Sequence, residues 1–516
     1  MALLFNSVSQ YSSSIYEIAR NVLRSRTNQA ARSEQLTQQN ANLKRHCDQL
    51  EHQQHHARQT IDTLTQQLRQ AQHEIQSLRS QPCRLPDDPP LPHHTYGPKL
   101  MSLCINLAKA VGLRASENAL EIFFDFFEIK HSVPCWTTIR GWTMRVGVAQ
   151  LDNQVTASDD MIWLADHSNQ IGTQKVLTIL GISASKLPAP GQTLKHQDVQ
   201  ILSVVPASQW KREDVREEYR KLAAKIGPPQ MLVTDGAVEL HESADILEKD
   251  GKKPLLFRDM KHHAANLLER ILQQDDRFSQ FTAQLGRTRC AIQQTELGHF
   301  TPPSQRAKAR FMNLGPTLHW GEMISWQLSH PRSKGRKGVK AQRMNAKLGW
   351  VRGFRNDLTC WSRCQHAIDE SLRFINTQGI FHGASIALKT ALSKLSLSNI
   401  PACHRSDTLK DQLIAFVLKA ESQLLEGERG WLSTEILESA FGLYKAFEGQ
   451  HSKGGFTSLI AAFPALLTDC TPSKVSQSMK QVSNARLKQW VRQNVDTTLT
   501  SKRNLAYAEF TNQLAC

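Results

Sequence analysis

The sequence predicts a multidomain chain: an N-terminal coiled coil, a small all-α domain, and an α/β core interrupted by a mostly helical insertion. Three observations lead there. At 516 residues the chain is longer than one ordinary hydrophobic core supports. A heptad repeat runs over residues 36–78 without a break, apolar at eleven of its thirteen seam positions. The hydrophobic pattern then turns β-like near Met161 and helical again near Met260.

Composition narrows the partners. Lys plus Arg number 63 against 47 Asp plus Glu, a net charge of +16, which favours a polyanion, most often nucleic acid. No window of 18 consecutive apolar residues exists, so no membrane span is expected. The opening residues carry only a short apolar run and no basic flank, unlike a secretory signal. The ten cysteines show no paired framework. Cys360, Cys364 and His366 read as reduced thiols with a neighbouring imidazole rather than as a zinc site, and a reducing cytoplasm is the expected compartment.

Residues 1–33 form an N-terminal helical segment and residues 34–79 the coiled coil. One seam position reads Leu36, Leu43, Leu50, Ala57, Leu64, Ala71, Leu78, and the other Asn40, Cys47, Gln54, Ile61, Leu68, Ile75. Nothing nearby in the sequence covers this seam, so it should pair with another helix, and a homo-oligomer, a dimer first of all, is expected. His46, His52, His55 and His56 fall on the same segment and read as solvated. A proline-rich linker occupies residues 80–98, where proline denies both helix and strand.

Residues 99–153 return to short helices. The last, WTTIRGWTMRVG from Trp136, places Ile139, Trp142 and Val146 on one face and Thr137, Thr138, Arg140, Thr143 and Arg145 on the other. This pattern suits a helix-turn-helix domain whose final helix enters the major groove, with Arg140 and Arg145 as DNA contacts. A plain helical bundle competes with it.

Residues 154–270 then read as the first part of the α/β core. MIWLAD, QKVLTILGIS and VQILSVVP are β-rich runs, Lys211 to Gly227 is an amphipathic helix, and QMLVTD and PLLFRD are further strands. Asp166 ends the first strand and Asp235 the fourth. If those strands are neighbours, both carboxylates emerge at one sheet edge. Converging carboxylates repel, and hard divalent cations neutralise them. A third carboxylate comes from WLSTEILESAFGLYKAFEG, where Glu438 and Lys445 lie two turns apart on one helix face. Glu435, one turn earlier, competes with Glu438.

In that order WLADHS, LVTDGA and ESAFGLYK resemble the three acidic motifs of DDE transposases, insertion-sequence enzymes with an RNase H-like catalytic core. The spacing of Glu438 and Lys445 matches the end of a signature in many of them, while Thr434 stands where an Arg is usual. The resemblance implies that Asp166, Asp235 and Glu438 are catalytic and bind two Mg2+ ions, with Mn2+ as a substitute. It implies Lys445 as a DNA contact, and Asp259 and His262 as residues standing behind the metal ligands or simply capping and packing their helix. His263 reads as a packing residue. DNA, both the element ends and the target, is the implied partner, and a nucleoid-associated cytoplasmic location goes with it.

Residues 271–429 resemble the helical insertion that some of these enzymes carry before the last Glu. Its segment 301–365 holds 13 Lys plus Arg and two acidic residues. Arg332, Lys334, Arg336, Lys337, Lys340 and Arg343 are its expected phosphate contacts. Trp320, Trp326, Trp350 and Trp361 are interleaved with this charge, with core packing the leading role for each. Residues 430–470 close the core and residues 471–516 form a basic tail. The expected activity is metal-dependent DNA cleavage and 3′-OH strand transfer. A catalytically inactive DNA-binding regulator and a nuclease on the same core are the alternatives.

Overall fold

The computed structural model describes residues 2–80, 87–153, 157–169, 175–248, 251, 253–305, 310–330, 339–395, 403–449, 458–495, 503–508 and 510. The chain divides into two compact units, one of residues 1–86 with 125–130 and one of the remainder. In the first, the heptad and the segment before it form one continuous helix, α1 (Ala2–Ser80). Its seam residues Leu36, Leu50, Ile61, Leu64, Leu68 and Ile75 are about half exposed or more, from 48% to 60%. No helix among the described residues is long and apolar enough to cross a membrane.

The second unit opens with α2 (Pro98–Val111), α3 (Leu113–Phe126) and α4 (Trp136–Asp152). A five-stranded sheet follows: β1 (Met161–Asn169), β2 (Lys175–Ser183), β3 (Gln200–Ala207), β4 (Met231–Thr234) and β5 (Leu255–Arg258). α5 (Arg212–Ile226) precedes β4, and the short α6 (Val238–His241) follows it. A run of helices follows: α7 (Met260–Gln273), α8 (Asp276–Ile292), α9 (Gly315–Ser329), α10 (Val339–Leu348), α11 (Arg355–Gln378), α12 (Ala384–Ser393) and α13 (His404–Glu421). α14 (Glu435–Gly449), α15 (Phe463–Leu466), α16 (Pro472–Gln481) and α17 (Asn484–Asn494) complete the unit.

The sheet order is β3-β2-β1-β4-β5, with β1, β2 and β3 antiparallel and β4 and β5 parallel to β1. β2 is buried at every position after its first, as its unbroken run VLTILGIS requires. The amphipathic stripe of α5, Val215, Tyr219 and Leu222, packs with Trp163, Leu177 and Leu232 of the sheet. Burying these side chains supplies the main stabilisation, roughly 1.5–3 kcal/mol for each large one.

The small helical domain is not a separate body. α4 is buried from Trp142 through Ala149. A Cβ on its Gly147 would lie 1.9 Å from the carbonyl oxygen of Ala461, so only glycine admits that backbone crossing. On α2, the Ser102 hydroxyl and the Asn106 amide donate to the Cys470 carbonyl, and Lys109 donates to that of Thr468. Residues 99–153 and the C-terminal helices therefore share one core. The second half of the proline-rich segment is folded too: Asp88 accepts the backbone amides of Lys99 and Leu100, both at 2.8 Å, and so caps α2.

The helices after the sheet carry a disulfide that the spacing of cysteines did not announce. Cys360 on α11 and Cys403 at the start of α13 are bonded across a sequence separation of 43. The expectation of reduced thiols is corrected for this pair, whereas Cys364 is a buried free thiol. Trp320, Trp350 and Trp361 pack inside, their indole nitrogens donating to Phe300, Thr288 and Asp275 respectively. Trp326 departs from the packing role: it is 54% exposed and stacks on His330.

Candidate active site

Strand register brings the acids together. Parallel pairing of β1 with β4 aligns Ala165 with Thr234, so Asp166 and Asp235 stand one step further on, side by side. Pairing of β4 with β5 aligns Thr234 with Arg258, which extends the row to Asp259. Adjacent strands lie about 4.8 Å apart, close enough for unscreened carboxylates to repel. Asp166 is buried, and its Oδ1 accepts the His167 amide at 2.6 Å. Asp235 Oδ1 accepts the Ala237 amide at 2.8 Å, an Asx turn that fixes the side chain at the strand end.

Glu438, on the first turn of α14, joins this edge electrostatically. Burial first, then the charge of Asp235 and more weakly that of Glu438, raise Asp166 above the carboxylate range, against the opposing pull of His262 and the His167 amide. Glu435 accepts a hydrogen bond from the Asn376 amide. Of the two glutamates, Glu438 is the one whose charge reaches Asp166, while its carboxylate is held by Lys261.

Asp259 holds the arrangement in place. It is 1% exposed and accepts three hydrogen bonds: the His262 amide at 2.8 Å, His262 Nδ1 at 2.9 Å and the Thr434 amide at 2.7 Å. It thereby caps α7 and ties it to the residue preceding α14. Burial would raise Asp259, but the bond to the His262 ring, its charge and the two amides outweigh that and lower it. Burial likewise opposes a charge on His262, yet the bond and charge of Asp259, with Asp166 and Asp235 beyond, raise it well above the usual imidazole range.

One contact had no counterpart in the sequence reading. Lys261, beside His262, places its Nζ 2.5 Å from Glu438 Oε2. The first turn of α7 thus sets two cations against three acids. The available signal was a Lys-His pair immediately after a strand ending in Asp, at a helix N-terminus already positive by its backbone dipole.

The donor set suits a hard cation. It is all carboxylate oxygen, and burial, with the charge of Asp235 second, raises Asp166. Thr178, paired across the sheet with Asp166, has a buried hydroxyl with no hydrogen-bond partner among the described residues. Among the described residues no three His, Cys, Asp or Glu side chains are grouped as ligands of one ion, and the Lys261 contact gives a physical reason: Glu438 is held on an ammonium group. Glu438 would have to leave Lys261 to complete a metal site.

The expected DNA contacts divide. Arg145 is not outward: it is 5% exposed, and its guanidinium donates to the carbonyls of Val482 at 2.5 Å and Met479 at 2.6 Å. Arg140 is half-buried and donates to the Ser458 hydroxyl at 2.6 Å. The outward reading of Arg145 is corrected, because α4 is buried from Trp142 through Ala149, whereas Arg140 lies on the partly exposed turn before that run. Lys445 is exposed on α14. Arg332, Lys334, Arg336 and Lys337 lie outside the described residues, Lys340 falls on α10, and Arg343 pairs with Glu296 at 2.8 Å. His263 stacks on Phe416 with ring centroids 4.0 Å apart. Compared with known proteins, the chain matches no protein-family model and no curated protein.

Proposed function

We propose that this chain is a DNA transposase of the DDE type, cutting DNA strands and joining a freed 3′ end to a new site. One observation carries the reading. Asp166, which lies within β1 rather than at its end as the sequence suggested, stands beside Asp235 just past the end of the neighbouring parallel strand β4, and the charge of Glu438 adds to that of Asp235 in opposing ionisation of Asp166. A sheet with its first and fourth strands paired is what an RNase H-like core needs to bring its first two acids to one edge.

Asp166, Asp235 and Glu438 would hold two Mg2+ ions, or Mn2+ in their place. When bound, such a pair supplies Lewis-acid activation of an attacking oxygen and stabilisation of a departing one. The remaining work falls to the chain. The amides of His167 and Ala237 fix the two aspartates. Asp259 keeps α7 and the start of α14 together, so that Glu438 faces the sheet edge. His262 and Lys261 bring positive charge to the edge that a phosphodiester would approach. Lys445, two turns from Glu438 on the same helix, suits a DNA phosphate beside the cleavage site. The net charge of +16 favours DNA as the partner, and the exposed seam of α1 supports self-association.

Cleavage and joining of labelled DNA carrying the element's ends test this. Asp166→Asn, Asp235→Asn and Glu438→Gln should each abolish Mg2+-dependent cleavage while DNA binding persists. Pre-cleaved ends should be transferred by the wild-type chain. Nicking without transfer points instead to a nuclease, and specific binding with no nicking in Mg2+ or Mn2+ to a DNA-binding regulator.

A further inference from the structure

We propose that α1 pairs with α1 of a second copy as a parallel, in-register, two-stranded coiled coil. The inference rests on the reading of α1 as the self-association element, and adds its orientation and strand number.

The helix is continuous from Ala2 to Ser80, so a pair can run without interruption over the whole heptad of residues 36–78, about 64 Å at 1.5 Å per residue. Along it, Leu36, Leu50, Ile61, Leu64, Leu68 and Ile75 remain 48–60% exposed. Heptad assignment puts Asn40, Gln54, Ile61, Leu68 and Ile75 at position a, and Leu36, Leu50, Leu64 and Leu78 at position d. β-branched Ile61 and Ile75 at a, each followed by a leucine at d, favour two parallel strands over higher assemblies.

The polar seam residues choose the orientation. In a parallel in-register pair, position a faces position a, so Asn40 meets Asn40 and Gln54 meets Gln54, and each amide finds a hydrogen-bonding partner. In an antiparallel pair, a faces d, and both amides would be set against leucine or alanine positions. A buried amide left without a partner costs about 1–3 kcal/mol. Flanking charges agree. Parallel pairing sets each g residue against the e residue five places on in the second copy, which brings Glu74 to Arg79 and places no like-charged pair together. The consequence is directional: both copies of α1 end at Ser80 at the same end of the coil.

Disulfide mapping decides the matter. The full-length Leu50→Cys/Leu68→Cys chain in a Cys47→Ser background is oxidised without DNA or metal, and inter-chain linked peptides are identified by mass spectrometry. The two positions lie about 27 Å apart on one helix, so they cannot join within a chain. Links of 50 to 50 and 68 to 68, with the wild-type chain sedimenting at twice its 58.2 kDa, are the expected result. Links of 50 to 68, a monomer, or an assembly larger than a dimer would overturn the proposal. Asn40→Leu/Gln54→Leu should retain association while admitting links of 50 to 68, and purely homotypic links in that variant would overturn the two amides as what sets the orientation. Cleavage assays read a different property, so failure of the coil and failure of the catalytic reading remain separable.

Discussion

The carboxylate of Asp259 accepts the backbone amide of Thr434, 175 residues away in sequence, at 2.7 Å. Through the same side chain it caps α7 by way of the His262 amide. One buried aspartate thus sets the start of the helix bearing Glu438 against the end of the sheet bearing Asp166 and Asp235. Removing it should cost more than a cap. Asp259→Ala leaves His262 and the Thr434 amide without their partner, and urea unfolding should show a loss of about 3 kcal/mol.

The acid limb of stability should report the same residue. Asp259 is lowered in the folded chain, so its stabilisation is present above the unfolded carboxylate value, about 3.9, and is lost as pH falls through the folded value. In Asp259→Asn the urea midpoint should fall less steeply than in the wild type as pH drops below about 4. Identical slopes would show that the carboxylate carries no such linkage.

Asp166 should behave in the opposite sense. Its folded value is raised to about 7, so the folded chain loses stability as pH rises from the unfolded value of about 3.9 and levels off above about 7. His262, raised to about 9, contributes stability below its unfolded value of about 6.5 and loses it through the folded one, which adds to the same downward trend. Without divalent ions, Asp166→Asn should be more stable than the wild type at neutral pH, by roughly 2 kcal/mol. Mg2+ should raise the melting temperature of the wild type and not of the variant. Thermal melts at mildly acidic and neutral pH, with and without Mg2+, check both statements.

Two cations separate fold from DNA contact. Arg145→Met removes charge-assisted hydrogen bonds to two buried carbonyls and should destabilise the chain by about 3 kcal/mol, with DNA affinity of the folded protein unchanged. Lys445→Ala should leave the melting temperature in place, weaken DNA binding and lessen the salt dependence by about one unit of slope. Binding isotherms over a salt series, beside melts of both variants, distinguish them. An exchange of these effects would restore α4 as the DNA-reading helix.

These contrasts mark what could be read in advance. Asp166 and Asp235 were visible because each closes the apolar part of a β-run, although β1 itself continues past Asp166 to Asn169. Their adjacency was not visible, because it depends on β4 pairing with β1 across the 69 residues that separate the two aspartates. Arg145 was misplaced because helical periodicity assumes one solvent face, and α4 has almost none. Gly147, where the backbone at Ala461 crosses α4, was the overlooked sign of that burial. Lys261 was missed because an ion pair between helices far apart in sequence leaves no local pattern, and the pairing of Cys360 with Cys403 likewise follows from how α11 packs on α13.

That disulfide should matter to the helices after the sheet. Closing a loop of 43 residues restricts the unfolded chain by about 4 kcal/mol in the chain-entropy account. Cys403→Ser should lower the unfolding midpoint by a corresponding amount under oxidising conditions and make the chain insensitive to reductant. A wild-type chain whose midpoint does not shift on reduction would contradict the linkage.

The most direct measurement is anomalous diffraction from crystals of the full chain soaked in Mn2+. Manganese peaks should lie in contact with the carboxylates of Asp166 and Asp235, with Glu438 turned from Lys261 toward them, and no such peaks should appear in Asp166→Asn crystals. Manganese bound elsewhere, or an edge without metal and with Glu438 still on Lys261, would contradict that expectation.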